Sequence, residues 1–283
     1  MKRFFLLPIV FFIVLGGYAQ SPGNCASFSI EGNTVVFNCD KGAKVSIKFC
    51  SGSMLKVWYA PSGEFKRNNE SFAVVKETIE DVGKIQVEDR PESYEIFTSR
   101  LRVRVDKAPF RLQIFDKYQK LLQGDYQDKG LLKDSNKLIA YKTLRSDEQF
   151  FGLGEKSGPL NRRGHSYTMW NSDKLFYSPN EDPLYKSIPF FLSSYRYGVF
   201  FDNTYKSFFR FGTASEDYYS FETPGGELIY YFIHGSDYKQ IIEQYMQLTG
   251  KPIMPPEWAL GFSQSRGMYT NEPLARSVAA EFR

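Results

Sequence analysis

Histidine is almost absent from this 283-residue chain: there are two, His165 and His234, far apart in sequence. With so few imidazoles and no Cys/His cluster at ligand spacing, no metal site is expected. Cysteine is nearly as scarce, with Cys25, Cys39 and Cys50 all inside the first 50 residues. That count excludes a disulfide-dense small scaffold. In an exported chain it allows one disulfide with one thiol left over, and the spacing does not decide which two pair. Otherwise all five residues read as small core or edge positions. Charge of one sign is missing too. A net charge of +4, with no Lys/Arg tract interleaved with stacking aromatics, argues against nucleic acid as a partner. There is no internal repeat at a fixed period and no low-complexity linker. The glycines Gly152 and Gly154 lack the spacing and the following helix of a phosphate cradle.

What the chain has in abundance is aromatic side chain: 26 Phe and 19 Tyr. Flat rings pack well on pleated, half-buried surfaces, which favours β structure. The start of the chain, "MKRFFLLPIVFFIVLGGYAQ", has the basic pair Lys2-Arg3, an apolar run from Phe4 to Leu15, and small residues at Gly17 and Ala19. This is the layout of a secretory signal peptide over residues 1–19, cleaved after Ala19, and the run is short for a bilayer span. A retained signal anchor is the rival reading. Cys25 is not preceded by the apolar-small run of a lipoprotein cysteine. The expected location is therefore periplasmic or secreted, with no membrane contact beyond the export signal; oligomeric state is not readable.

From Ala43 to about Ile233 the text is strand-like. In "SRLRVRVDKAPFRLQIFD", Leu101, Val103 and Val105 alternate with Arg100, Arg102 and Arg104, the period of a half-buried strand. "AKVSIKF" and "MLKVWYA" repeat the pattern, while "FDKYQKLLQ" and "SSYRYGVFFDN" read as hairpins. Many short strands without intervening helices indicate an antiparallel β-sandwich over residues 20–235. A connecting helix and Pro-rich linker follow over 236–256. Asp237 is positioned to cap the helix and Gln240 to complete a capping box, with Tyr238, Ile241, Ile242, Tyr245 and Met246 as its apolar stripe. After the Pro255-Pro256 pair, "EWALGF" reads as a buried strand, "SQSRGMYT" as a loop, and "NEPLARSVAAEFR" as a helix capped by Asn271. Strand, loop and helix over 257–283 form the opening βα unit of a parallel α/β domain. A complete (β/α)8 barrel takes about 250 residues, so the sequence is expected to continue beyond Arg283, the alternative being a final strand and helix docked onto the sandwich.

Four segments occur in order: "FFGLGEKSGPLNRRGHSYTMWNSD" (150–173), "DPLYKSIPFFL" (182–192), "YGVFFDNTYKSFFRFG" (197–212) and "KPIMPPEWALGFSQSR" (251–266). Together they resemble glycoside hydrolase family 31, the α-glucosidase and α-xylosidase family, from about residue 30 to the end of the chain. The resemblance implies a galactose mutarotase-like β-sandwich leading into a (β/α)8 catalytic barrel. It also implies retaining hydrolysis of terminal α-linked sugars by an aspartate nucleophile and an aspartate acid/base. Both family aspartates lie on later barrel strands, beyond Arg283, so the resemblance assigns no catalytic residue to this chain and makes it inactive alone. The expected partner is an oligosaccharide substrate.

Carried over position by position, Asp173 accepts hydrogen bonds from sugar hydroxyls, or else caps a turn, and Trp170 is either a stacking wall or a core residue. Arg266 and Tyr269 belong to the sugar-pocket wall on the barrel side, packing under the barrel rim being the rival reading for Arg266. Many relatives carry a bulky aromatic directly after that arginine; Gly267 and Met268 stand here instead, which puts the wall's shape in doubt. Glu155 is assigned to bonding its own loop, with Gly152 and Gly154 serving a tight backbone path. Arg163 and His165 read as a solvated loop edge, or else touch sugar. The other acids near the motifs, Glu181, Asp182 and Asp202, are not paired by spacing with one another and read as solvated loop carboxylates. A non-catalytic carbohydrate-binding β-sandwich is the alternative function. The apolar faces of residues 257–283 speak against it, because a binding module has no use for them.

Overall fold

The computed structural model describes residues 19–66, 71–265 and 267–282. Residues 1–18, which hold nearly all of the expected signal peptide, lie outside the described residues, as does Arg266. The chain forms two compact units, the first ending at Gly250 and the second spanning Lys251–Arg283.

The first unit is built from antiparallel strands. One sheet of eight runs, neighbour to neighbour, through Cys25–Glu31, Thr34–Cys39, Lys44–Ser51, Met54–Ala60, Leu228–His234, Tyr197–Phe201, Ser187–Ser193 and Phe150–Gly154. A sheet of five runs through Leu131–Asp134, Lys137–Thr143, Tyr218–Thr223, Ser207–Phe211 and Ser166–Met169. Another five, Val87–Asp89, Ser93–Phe97, Leu101–Lys107, Phe110–Asp116 and Leu121–Gly124, form a meander. All three contribute to one core, rich in Phe and Tyr: Phe150, Phe191, Phe209, Phe211, Tyr219 and Phe221 are all fully buried.

Period-two alternation does what the sequence suggests. Leu101, Val103 and Val105 enter the core while Arg102 and Arg104 stay half-exposed. The strand Met54–Ala60 is buried at every position because its sheet is covered on both faces. Leu55, Val57 and Tyr59 join the main core, and Met54 and Trp58 a second cluster on the outer face with Ile229, Tyr231 and Ile233. The strand Cys25–Glu31 lies at the sheet edge and leaves most of its side chains in solvent, so it lacks the apolar alternation by which strands are recognised.

The helix Tyr238–Thr249 covers that outer cluster. Asp237 caps it, its carboxylate accepting from the Gln240 amide at 2.9 Å, and the Gln240 side chain reaches back to the Ser236 amide at 2.7 Å. The buried face is rotated from the expected stripe. Ile241, Gln244 and Leu248 are buried, whereas Tyr238 and Ile242 are each 40% exposed. Tertiary partners decide this: Tyr245 stacks on Phe190 at 4.1 Å, and Gln244 accepts from the Ser53 hydroxyl at 2.6 Å.

The second unit corrects one expectation. "EWALGF" is not a strand: Glu257–Leu260 forms a short 3-10 turn, and the described residues of 251–283 contain no strand. A strand needs a neighbour to satisfy its N–H and C=O groups. Here they close locally, the Ala259 amide donating to the Pro256 carbonyl at 2.9 Å and the Gly261 amide to the Trp258 carbonyl at 3.3 Å. Trp258 and Phe262 are correspondingly exposed. The following helix, Glu272–Glu281, is as expected, with the Asn271 side chain accepting from the Leu274 amide at 2.9 Å.

Candidate functional site

The segment from Gly154 to Ser187 leaves one sheet, crosses to another and returns, and its course depends on two glycines. Gly152 and Gly154 have φ of +113° and +80°, and the residue between them, Leu153, bulges out of register with the neighbouring strand. A Cβ on Gly152 would stand 2.7 Å from the Phe190 carbonyl oxygen, and one on Gly154 2.1 Å from that of Lys186. The glycines thus permit a close backbone path.

Two buried cations organise the loop beyond Gly154. The Arg162 guanidinium, 6% exposed, donates to the carbonyls of Pro159 at 2.8 Å, Ser157 at 3.2 Å and Gly152 at 3.3 Å, closing the loop around itself. The Lys156 ammonium donates to Asp182 Oδ1 at 2.8 Å and to the Thr168 carbonyl at 2.6 Å. The other Asp182 oxygen accepts from the Thr168 amide. Asp182 is therefore no solvated loop carboxylate. Its ion pair joins the segment after Gly154, the strand Ser166–Met169 and the return segment. Burial pushes the Lys156 ammonium below its ordinary value, against the pull of Asp182.

At the end of that strand Trp170–Asp173 projects outward. It is pinned at three points, two on its backbone and one on a side chain: the Trp170 amide donates to Ser187 Oγ at 3.0 Å, the Ser172 amide to the Leu184 carbonyl at 2.9 Å, and the Ser187 amide to Asn171 Oδ1 at 2.7 Å. The Tyr185 hydroxyl donates to Asp173 Oδ1 at 2.9 Å, and this bond raises the tyrosine's own pKa. Asp173 Oδ2 has no hydrogen-bond partner among the described residues. Trp170 is 52% exposed, which places it on the surface. It lines a shallow depression of about 350 Å³ with Asn171, Ser187, Pro189, Asn203 and Tyr205. Beyond Asp173, Leu175 and Phe176 are exposed as well.

The structure brings Asp173 and Trp170 together on one loop. Tyr269 lies in the second unit, 38% exposed. Arg163 turns inward, donating to the Arg145 carbonyl at 2.6 Å, and His165 Nδ1 sits 3.0 Å from the Arg163 carbonyl oxygen. Arg163 is thus a strut and not a loop-edge cation. The other acids near the loop are occupied: Glu181 by Lys174, Glu155 by Lys186 at 3.9 Å, and Asp202 by the Ser71 hydroxyl at 2.8 Å. Each of these carboxylates is held by a different partner, so the chemistry the loop offers is acceptance of hydrogen bonds and ring stacking. Lys156, Arg162, Asp182 and Tyr185 build this loop, yet no sequence spacing singles them out.

A larger cleft lies elsewhere in the first unit, about 760 Å³ between Arg100, Lys117, Tyr118, Tyr195, Arg196 and His234. The acid lining it is Asp116, whose Oδ1 accepts from the amides of Tyr118 and Lys120 at 2.8 and 2.9 Å. Its histidine bonds the Arg196 carbonyl through Nδ1 at 2.8 Å, and burial lowers the imidazole pKa. Acid and histidine alike are thus engaged with neighbouring backbone.

Residues 44–209 match the family model described as the glycosyl hydrolase 31 N-terminal galactose mutarotase-like domain. The chain is 36% identical over 264 residues to alpha-glucosidase 2 of Bacillus thermoamyloliquefaciens, covering 92% of this chain and 33% of that protein. It is 29% identical over 270 residues to the isomaltosyltransferase of Sporosarcina globispora, covering 87% of this chain and 23% of that protein. Among solved structures, the GH31 dextranase of Flavobacterium johnsoniae complexed with glucose matches with a TM-score of 0.90 at 62% identity. That match covers 93% of this chain and 32% of the dextranase. The chain thus spans about a third or less of the length of these relatives, and corresponds to their N-terminal part.

Proposed function

Because the chain belongs to glycoside hydrolase family 31 and corresponds to the N-terminal part of its members, we propose that it is the front portion of an exported retaining α-glycosidase of the α-glucosidase type. Its contribution to the sugar site is the loop Trp170–Asp173. The observation that carries this reading is the pairing of an outward carboxylate with an outward indole on a loop whose base is locked: Tyr185 holds one oxygen of Asp173, and Lys156–Asp182 ties the loop's two flanks. An ionised carboxylate offers only acceptors, so it orients sugar hydroxyls through short, charge-assisted bonds. The exposed face of Trp170 suits the apolar face of a pyranose.

The rest of the site is assigned to a barrel that begins within residues 257–283 and extends past Arg283, with Arg266 and Tyr269 on its wall. Cleavage is assigned there to two aspartates about 5 Å apart. One attacks the anomeric carbon and expels the leaving oxygen, which the other protonates. The second then takes a proton from water as the glycosyl-enzyme is hydrolysed. Two carboxylates and water suffice, without metal or organic cofactor. The 62% identity to a dextranase that has also been solved with isomaltotriose favours glucose oligosaccharides of the dextran series over α-xylosides.

The test is kcat/KM of the full-length gene product on isomaltotriose, maltotriose and an aryl α-xyloside, with the anomer first released followed by NMR. Fastest turnover of isomaltotriose with release of the α-anomer is expected, and residues 20–283 alone should be inert. Hydrolysis by residues 20–283 alone, or inert full-length protein on every α-glucoside, would overturn the proposal.

A further inference from the structure

The first hairpin carries two cysteines that sequence spacing alone does not pair. Cys25 and Cys39 lie opposite each other on adjacent antiparallel strands, and a register shift between Cys25 and Ser27 turns Cys25 to the same face as Cys39. Both side chains enter the main core, each only 7% exposed. The amide of Asp40 donates to the Asn24 carbonyl at 2.9 Å, and the Cys39 amide donates away to Ala43 at 2.9 Å. The two cysteines are therefore a non-hydrogen-bonded pair, the type in which facing side chains approach most closely and whose usual Cα separation of about 4.5 Å falls within the range a disulfide spans. The Cys25 thiol donates to the Ser27 carbonyl at 3.7 Å. Cys50 is excluded as a partner. It packs fully buried in the outer cluster, on the opposite face of the same sheet.

We propose that Cys25 and Cys39 are joined by a disulfide in the mature protein, with Cys50 left as a permanently reduced core thiol. The bond forms by thiol–disulfide exchange with a disulfide oxidant of the exporting compartment. One thiol of the pair, deprotonated, attacks the oxidant's sulfur and releases its first thiolate. The other thiol, deprotonated in turn, attacks the mixed disulfide and releases the second, so that two electrons and two protons leave the pair. The neighbouring Cys39 thiol, aided by the charge of Lys107, holds the Cys25 thiol below its ordinary value against the effect of burial. Burial pushes the Cys50 thiol up to about 12, with Glu77 adding to it, which leaves Cys50 inert. The product closes a loop of about 15 residues around the edge strand of the eight-stranded sheet.

The test is peptide mapping of the full-length gene product after incubation in glutathione disulfide. The protein is unfolded in denaturant with excess alkylating agent, with and without prior reduction. The expected result is one reducible cross-link joining the peptides that carry Cys25 and Cys39, with Cys50 alkylated in both samples. The same cross-link should survive in Cys50→Ser. Reduction of the wild type, or Cys25→Ser, should lower Tm by roughly 5–10 °C, with no further loss in Cys25→Ser/Cys39→Ser. Alkylation of all three cysteines without reduction, or a cross-link that includes Cys50, would overturn the proposal. Should Cys25→Ser fail to fold, the wild-type and Cys50→Ser maps decide it by themselves.

Discussion

Lys156 and Asp182 form an ion pair whose lysine side chain has no exposure to solvent and whose aspartate side chain has 14%. It is the joint between the outgoing and returning flanks of the loop that carries Trp170 and Asp173. The two partners are not equivalent. Asp182 keeps some contact with water and the Thr168 amide if its partner is lost, whereas Lys156 is left with a buried charge and one carbonyl.

That asymmetry gives the first prediction. Asp182→Ala strands the ammonium and should cost about 3–5 kcal/mol, while Lys156→Met should cost less, because the remaining carboxylate is partly hydrated. Urea unfolding of the two variants beside the wild type checks the order. Equal losses would show that the pair acts by packing alone.

The backbone at the loop's origin supplies a second contrast. Gly154→Ala brings a Cβ to 2.1 Å from the Lys186 oxygen at a φ of +80° and should cost more than about 3 kcal/mol, or prevent folding. Gly164 has a similar φ of +77° but open space around it, so Gly164→Ala should cost only about 1–2 kcal/mol. Thermal unfolding of both variants separates the steric cost from the cost of the dihedral.

A third prediction concerns pH. Glu77 lies on the outer face of the eight-stranded sheet, where Lys48 and Lys56 both bond its carboxylate and the Tyr231 hydroxyl donates at 3.0 Å. Burial raises its pKa, but the two ammonium groups outweigh that and lower it to about 2. The folded state therefore binds this proton less readily than the unfolded chain. The contribution to stability is complete above the ordinary glutamate range and is lost as pH falls toward 2. Glu77→Gln should be less stable than wild type by about 2 kcal/mol at neutral pH, after allowing for screening, with the gap closing between about pH 5 and 2. A gap that is constant across that range would show that charge is not the cause.

These residues mark how far the sequence alone can be read. The strand Leu101–Lys107 is legible because its two faces meet different media at every second residue. The caps Asp237 and Asn271 are legible because a cap is a local bond three residues long. The rotation of the helix face is not, since Phe190 and Ser53, which select Tyr245 and Gln244, are distant in sequence. The same limit hides the loop's scaffold. "GLGEK" and "EDP" each look like solvated turn text, and only the fold brings Lys156 to Asp182. Trp258 illustrates the opposite error: apolar text reads as buried strand, but a strand exists only with a hydrogen-bonding neighbour, and the described residues of 251–282 form none among themselves.

The last prediction tests the role assigned to the loop. Asp173 is exposed, and its side chain is bonded by the Tyr185 hydroxyl, so Asp173→Asn should leave Tm close to wild type. If the carboxylate accepts from a sugar hydroxyl, the same change replaces a charged acceptor by a neutral one. A hydrogen bond to a charged group is worth about 1.5–3 kcal/mol, so kcat/KM of the full-length enzyme on isomaltotriose should fall roughly 10- to 100-fold. Tyr185 shares its one hydroxyl proton between Asp173 and the Lys174 carbonyl, 2.6 Å away, which makes it a positioning residue. Tyr185→Phe keeps the charge but frees the carboxylate to rotate, so its loss should be smaller and fall mainly on KM. Adding it to Asp173→Asn should cost little more, because both changes act through the same oxygen. Independent, additive losses would separate the two residues. Unchanged kinetics in Asp173→Asn would remove the loop from the sugar site altogether.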